Sequence, residues 1–197
     1  MMEDDTLWTR SRRAAYAEIT GVAMRLFLEQ GFDQTTIDQI AATAGISRRS
    51  FFRYFGTKED IVLGDLANEG TVARDALESV PLSVGPWEAL RLALESVDAL
   101  QSATEADSKL KISKMMYETP SLRARSIEKH LKWQEQLVPN IRLRLGLEST
   151  DDSSPAADAI VASAIACLDA AGEIWTRGNG VARLADLYDE AVRAVRG

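Results

Sequence analysis

Apolar residues recur at three- and four-residue spacing along almost the whole chain, and no stretch alternates apolar and polar for more than a few positions. That spacing lines up side chains on one face of a helix, whereas a half-buried strand needs a period of two. No hairpin turn signal interrupts it. The expected fold class is therefore all-α.

The punctuation is sharpest near the N-terminus. A first helix is expected from about Thr9 to Gln30, with Ile19, Val22, Ala23, Leu26 and Phe27 on its buried face and Gly31 as its stop. Thr36 caps a short second helix, and Gln39 three residues on completes a capping box. Ile37, Ile40, Ala41 and Ala44 form its inner side. Gly45 breaks that helix and Ser47 caps a third, with Ile46 placed to staple against Phe51. Longer helices follow, at about Lys58–Val80, Trp87–Ala103, Glu105–Glu118, Ser121–Leu145, Pro155–Arg177 and Val181–Arg196. The Pro-, Gly- and Ser-rich stretches 81–86 and 148–155 read as loops, and Pro139 is expected to kink its helix near Gln136. Two domains are implied: a three-helix unit over 1–58 and a helical bundle over 59–197.

Charge divides the same way. The chain carries a net −7, yet residues 6–58 hold eight basic residues against four acidic. The remainder is acidic, as suits a protein that brings only one end to phosphates. One cysteine, Cys167, and one histidine, His130, leave no disulfide framework and no Cys/His zinc site within a chain. Neither residue chemistry nor motif calls for a cofactor. No apolar run approaches the roughly 20 residues that span a bilayer, and the acidic start is unlike a signal peptide, so a soluble cytoplasmic protein with no membrane partner is expected.

The third helix carries the chemistry. On a helical wheel Phe51 and Phe55 form its core side, Arg49 and Arg53 point directly away, Arg48 and Phe52 lie on one flank, and Ser50 and Tyr54 on the other. Arginine bonds guanine in bidentate fashion, a serine hydroxyl suits base edges or phosphate, and a phenyl ring meets thymine methyls. Thr36, Tyr54 and Lys58 are placed for phosphates, which fix register, and the cap Ser47 joins the same DNA-facing set. A charged helix face alone is ordinarily just solvated; here it follows a capped helix and a glycine turn at helix-turn-helix spacing, with the basic residues gathered at this end.

The stretch from Gly31 to Lys58, GFDQTTIDQIAATAGISRRSFFRYFGTK, closely resembles the helix-turn-helix signature of TetR-family bacterial regulators. A long first helix precedes Gly-Phe, a Thr-Thr pair opens the second, Ala-Gly-Ile-Ser makes the turn, and an aromatic-rich third ends near a lysine. The resemblance covers about the first sixty residues. It implies that 47–55 is the recognition helix, that Thr36, Tyr54 and Lys58 touch phosphates, and that Arg48, Arg49, Ser50 and Phe52 face bases. Many relatives carry Tyr where this chain has Phe52, so any phosphate bond from that hydroxyl is missing here. The run Arg-Arg-Ser-Phe-Phe-Arg-Tyr-Phe resembles an actinobacterial subgroup that includes regulators of redox-cofactor or fatty-acyl metabolism.

The same resemblance implies that the last two helices pair with a symmetry mate, giving a homodimer on a palindromic double-stranded DNA operator. Ile160, Ala164, Leu168, Leu184, Leu187, Tyr188 and Ala191 are the candidate interface residues, though about half of these apolar stripes serve equally as the core of one chain. Candidate ligand contacts are Met115, Met116, Tyr117, His130, Trp133, Leu137, Cys167 and Trp175, whose soft and aromatic surface suits an apolar or aromatic effector better than a sugar or phosphate. His130 lies among Glu128, Lys129 and Lys132 and reads by default as a partly exposed surface residue. A metal would need ligands whose spacing is not present. The favoured function is a ligand-responsive repressor. An enzyme lacks a Ser/His/Asp context, and an adaptor that has lost DNA binding is countered by the intact arginines and Lys58.

Overall fold

The computed structural model describes residues 7–101, 106–150 and 152–197. Among them lie ten α-helices and no strand: α1 (Leu7–Gln30), α2 (Ile37–Thr43), α3 (Arg48–Tyr54), α4 (Glu59–Val62), α5 (Gly64–Ser79), α6 (Pro86–Gln101), α7 (Ala106–Glu118), α8 (Pro120–Arg144), α9 (Ala156–Arg177) and α10 (Leu184–Arg196). The chain divides into two compact units after Gly64. The boundary expected after Lys58 thus moves to the far side of α4, because α4 packs on α1 and both Ile61 and Leu63 are buried.

The first unit is built on the expected apolar stripe. Ile19, Val22, Ala23 and Phe27 of α1 enclose a core with Phe32, Ile40, Ala41, Phe51 and Phe55. Fully burying a phenyl ring contributes roughly 1.5–3 kcal/mol, so Phe51 and Phe55 seat α3 firmly. Gly31 ends α1 at φ +90 and Gly45 makes the turn at φ +67, where a side chain would be strained. The capping box on α2 forms as expected: Thr36 Oγ1 accepts from Gln39 N at 3.2 Å, and Gln39 Oε1 accepts from Thr36 N at 2.8 Å. The helix expected over Lys58–Val80 is two, broken at Leu63–Gly64, where a Cβ on Gly64 would stand 2.6 Å from the Tyr16 hydroxyl.

The second unit packs Ala73 and Leu77 of α5, Leu90, Ala93, Leu94 and Val97 of α6, Trp133, Leu137, Val138 and Ile141 of α8, Val161, Ala164, Ile165, Cys167 and Ala171 of α9 and Tyr188 of α10 into one core. The helix continues across Pro139. α10 begins at Leu184 rather than Val181, because Asn179 and Gly180 take left-handed backbone and Val181 stands in solvent. The expected ends of α6 at Ala103 and of α7 at Glu105 lie outside the described residues. Arg91 grips Asp189 through two parallel bonds, Nε to Oδ1 at 2.7 Å and Nη2 to Oδ2 at 3.1 Å, tying α6 to α10.

Two expectations about apolar helices are corrected. The 22-residue α9 is, by length and composition, apolar enough to cross a bilayer, contrary to the reading from sequence; its apolar side is the middle of this core. Ala164 and Tyr188, expected at an interface, are buried inside the chain's own core, and Ile160, Leu168, Leu184, Leu187 and Ala191 are half-buried against it. Ala164 and Tyr188 turn inward because α9 packs on both α8 and α10, while the five half-buried residues keep part of their surface outward.

Candidate nucleic-acid interface and ligand recess

α3 begins at the Ser47 cap, whose Oγ accepts from Ser50 N at 3.0 Å and donates to Ser50 Oγ at 3.0 Å. With Phe51 fully buried, helical geometry turns Arg48, Arg49, Phe52 and Arg53 outward, and all four are exposed. Ser50 and Tyr54 are half-buried at the edges, with the Arg53 guanidinium 5.3 Å from the centre of the Tyr54 ring. Arg48 stands 5.8 Å from the Phe52 ring centre and forms an ion pair with Asp38 of α2, Nη1 to Oδ2, at 3.1 Å. The expected base-facing residues therefore share one surface with their flanking hydroxyls.

Two of the expected phosphate contacts have internal duties. The Lys58 ammonium donates to the carbonyl oxygens of Phe32 at 2.9 Å and Thr35 at 3.3 Å and lies 4.3 Å from the Phe32 ring centre. It holds the α1–α2 connection, leaving one of its three N–H groups for another acceptor. The Thr36 hydroxyl belongs to the capping box and donates to Gln39 Oε1 at 3.1 Å. Asp38 was not singled out from sequence. Its negative charge on a basic face carried no signal until α2 and α3 were folded side by side.

The expected ligand residues separate. Leu137, Cys167 and Trp133 are core, and the Trp133 ring lies against the backbone of Gly70 in α5, where a Cβ would overlap it. His130 is buried, not a surface residue: α8 turns it inward so that its ring meets the Trp133 edge at 5.1 Å and Nδ1 stands 3.9 Å from Asp169 Oδ2. Burial lowers its pKa below the ordinary value, against the opposing pull of Asp169. Trp175 sits apart, packed on Gly180 with the Lys109 ammonium 5.7 Å from its ring centre. Met115 is half-buried on α7.

Met116 and Tyr117 do come together, in a shallow, partly open recess of about 10 Å³, room for about one water molecule, completed by Arg123, Ser126, Ile127 and Asp169. The Tyr117 hydroxyl donates to the Asp169 carbonyl oxygen at 3.1 Å, and Gly172 has no side chain where one would strike that hydroxyl. Arg123 lies 5.5 Å from the Tyr117 ring centre and pairs with Glu173 at 3.1 Å. Apolar walls thus carry a cation and a carboxylate. The soft and aromatic residues are legible in the sequence but these charged neighbours are not: Arg123 is brought back on Tyr117 by the turn between α7 and α8, and Asp169 comes from α9, far along the chain.

A capped helix, a left-handed glycine turn and a second capped helix with three outward arginines over a sealed aromatic base define a helix-turn-helix DNA-binding protein. Residues 19–64 match the bacterial regulatory proteins of the tetR family, and residues 84–197, more than half of the chain, match the MftR C-terminal domain. MftR of Mycobacterium tuberculosis, by name a mycofactocin biosynthesis transcriptional regulator, is 30% identical over 142 residues, covering 72% of this chain and 71% of its own. The HTH-type transcriptional regulator TcmR of Streptomyces glaucescens is 27% identical over 151 residues, 74% of this chain and 67% of its own. Thermus thermophilus FadR, a TetR-family transcriptional repressor solved with lauroyl-CoA, shares the fold at a TM-score of 0.61 and 21% identity, over 90% of this chain and 91% of that one. The chain belongs to the TetR family of bacterial regulatory proteins and is a DNA-binding transcriptional regulator. Both relatives named are actinobacterial, as the run along α3 suggested.

Proposed function

We propose that this chain is a cytoplasmic, homodimeric repressor that leaves a palindromic operator when a small apolar or aromatic effector enters its C-terminal unit. The observation that carries the reading is the outward face of α3, with Arg48, Arg49 and Arg53 exposed over a buried Phe51. Arg48, Arg49, Ser50 and Phe52 read bases; Thr36, Ser47, Arg53, Tyr54 and the remaining N–H of Lys58 serve phosphates.

For the dimer, the exposed side of α9 joins the half-buried Ile160, Leu168, Leu184, Leu187 and Ala191, while Ala164 and Tyr188 belong to the chain's own core. Ala159, Ala166, Ala170 and Ile174 are exposed, with Ser163 half-buried among them, at successive steps of four, three, four and four residues. Small side chains in such a seam let two helices approach closely. A two-fold pair would then present two copies of α3 to a palindrome.

The effector reading rests on Met116 and Ile127 as apolar wall and on Tyr117, Arg123 and Asp169 as polar anchors. The lauroyl-CoA held by the Thermus thermophilus protein joins an apolar chain to a charged head; an effector of that size would enter here only if α7, α8 and α9 part, because the recess as it stands has room for about one water molecule. An effector releases DNA only through a difference in affinity between the two states.

Selection of random duplex DNA by the purified protein tests the proposal. Enrichment of a palindrome bound by a dimer, weakened as salt rises, is the expected result. A folded protein that enriches no sequence would overturn it. Turnover of candidate effectors in the same preparation would favour an enzyme instead.

A further inference from the structure

Of the three arginines on α3, Arg48 alone is paired with a carboxylate among the described residues. The partner, Asp38, stands in the first turn of α2, and both of its oxygens accept from a single nitrogen, Nη1, at 3.2 and 3.1 Å. The side chains remain 62% and 66% exposed, so the pair adds little to stability. A carboxylate there also repels the phosphates that this face approaches. Its geometry offers a better account of what it does. With Nη1 committed to Asp38, Nε and Nη2 have no hydrogen-bond partner among the described residues, and together they form the side edge of the guanidinium. Two parallel donors at that edge match the O6 and N7 acceptors of guanine. The Phe52 ring beside the guanidinium limits the other direction in which it could swing.

We propose that Asp38 is a positioning residue for sequence recognition: it holds Arg48 with its Nε/Nη2 edge toward a base and away from neighbouring phosphates. The proposal rests on the reading of α3 as the base-facing helix. Preorganising one donor edge raises discrimination at a single base pair, while the negative charge lowers affinity for DNA of any sequence.

The test uses the full-length protein and the operator enriched by wild-type selection, with every single-base variant of that operator and a scrambled duplex. Asp38→Ala is expected to bind the scrambled duplex more tightly, with a steeper salt dependence, and to lose about tenfold discrimination at one operator position. Arg48→Ala should lose discrimination at that same position, and the double variant should lose no more than Arg48→Ala alone. A merely structural role for Asp38 would move the melting temperature and weaken all duplexes alike. Unchanged base preference in Asp38→Ala, with tighter binding everywhere, would overturn the proposal and leave only a charge effect. If the wild type enriches a sequence but Arg48→Ala keeps its full base preference, the assignment of Arg48, and this proposal with it, fails. Failure of the wild type to enrich any sequence instead sinks the reading of α3 itself.

Discussion

Arg144, the last residue of α8, donates through Nη2 to the carbonyl oxygen of Leu77 in the last turn of α5 at 2.9 Å. The same nitrogen reaches Val80 at 2.8 Å, Nη1 reaches Pro81 and Val84 at 2.7 and 3.0 Å, and Nε reaches Asn140 Oδ1 at 2.8 Å. All five N–H donors of the guanidinium are thereby engaged, with no carboxylate among the acceptors. Burial lowers its pKa, and the carbonyls at the negative end of α5 compensate for lost water.

Replacing Arg144 by alanine strands several of those carbonyls and should cost roughly 2–4 kcal/mol of unfolding free energy, read from urea denaturation. Arg144→Lys keeps the charge but not the planar fork, and should recover less than half of the loss. A lysine variant as stable as the wild type would show that charge alone suffices.

Gly70 lets the Trp133 ring lie on the backbone of α5. Gly70→Ala, although a better helix former, should therefore destabilise by about 1–3 kcal/mol through overpacking. The cost should shrink when Trp133→Phe supplies room. Equal costs in both backgrounds would mean that the ring is not what the added methyl meets.

His130, the chain's one histidine, is the one side chain whose ordinary pKa lies between about pH 5.5 and 7.5. Burial lowers its folded-state pKa below the ordinary 6.5, so the unfolded chain takes up the proton more readily. Stability is therefore full above the unfolded value and falls as pH drops below about 6.5. The denaturation midpoint should decrease from about pH 7.5 to about pH 5.5, and this decrease should be largely absent in His130→Gln. A midpoint that rises on acidification would mean the pairing with Asp169 outweighs burial.

Arg49 and Lys58 should separate recognition from architecture. Arg49 is exposed on α3, so Arg49→Ala should leave stability within about 0.5 kcal/mol while relaxing discrimination at one operator position by about 1–3 kcal/mol. Lys58→Ala removes two charge-assisted bonds to carbonyls and should lower stability by roughly 1–3 kcal/mol as well as reduce the salt slope of DNA binding by about one. Unaltered stability in Lys58→Ala would contradict its bonds to Phe32 and Thr35.

Local chemistry made the first unit readable. Thr36 with Gln39, Gly45 and Ser47 each impose a backbone conformation through their own side chain or its lack, and the period of Phe51 and Phe55 then settles which way the arginines face. None of that needs a distant partner. The all-helical character followed for the same reason, since periodicity is a property of neighbours in the chain.

The rest waited on packing between segments far apart in sequence. Trp133 lies on His130's own face of α8, but nothing nearby reveals that this face is turned into the core, and an apolar stripe such as Ala164 with Tyr188 is the same pattern whether it meets its own chain or a second copy. Asp38 beside Arg48, Lys58 on Phe32 and Arg123 beside Tyr117 are likewise set by how helices cross. The sequence by itself determined the helical character of the chain and which face of α3 looks outward, because those depend on interactions within a few residues. Only the tertiary structure decided which apolar and charged groups meet, because free energies of burial and pairing depend on neighbours that the chain order does not place together.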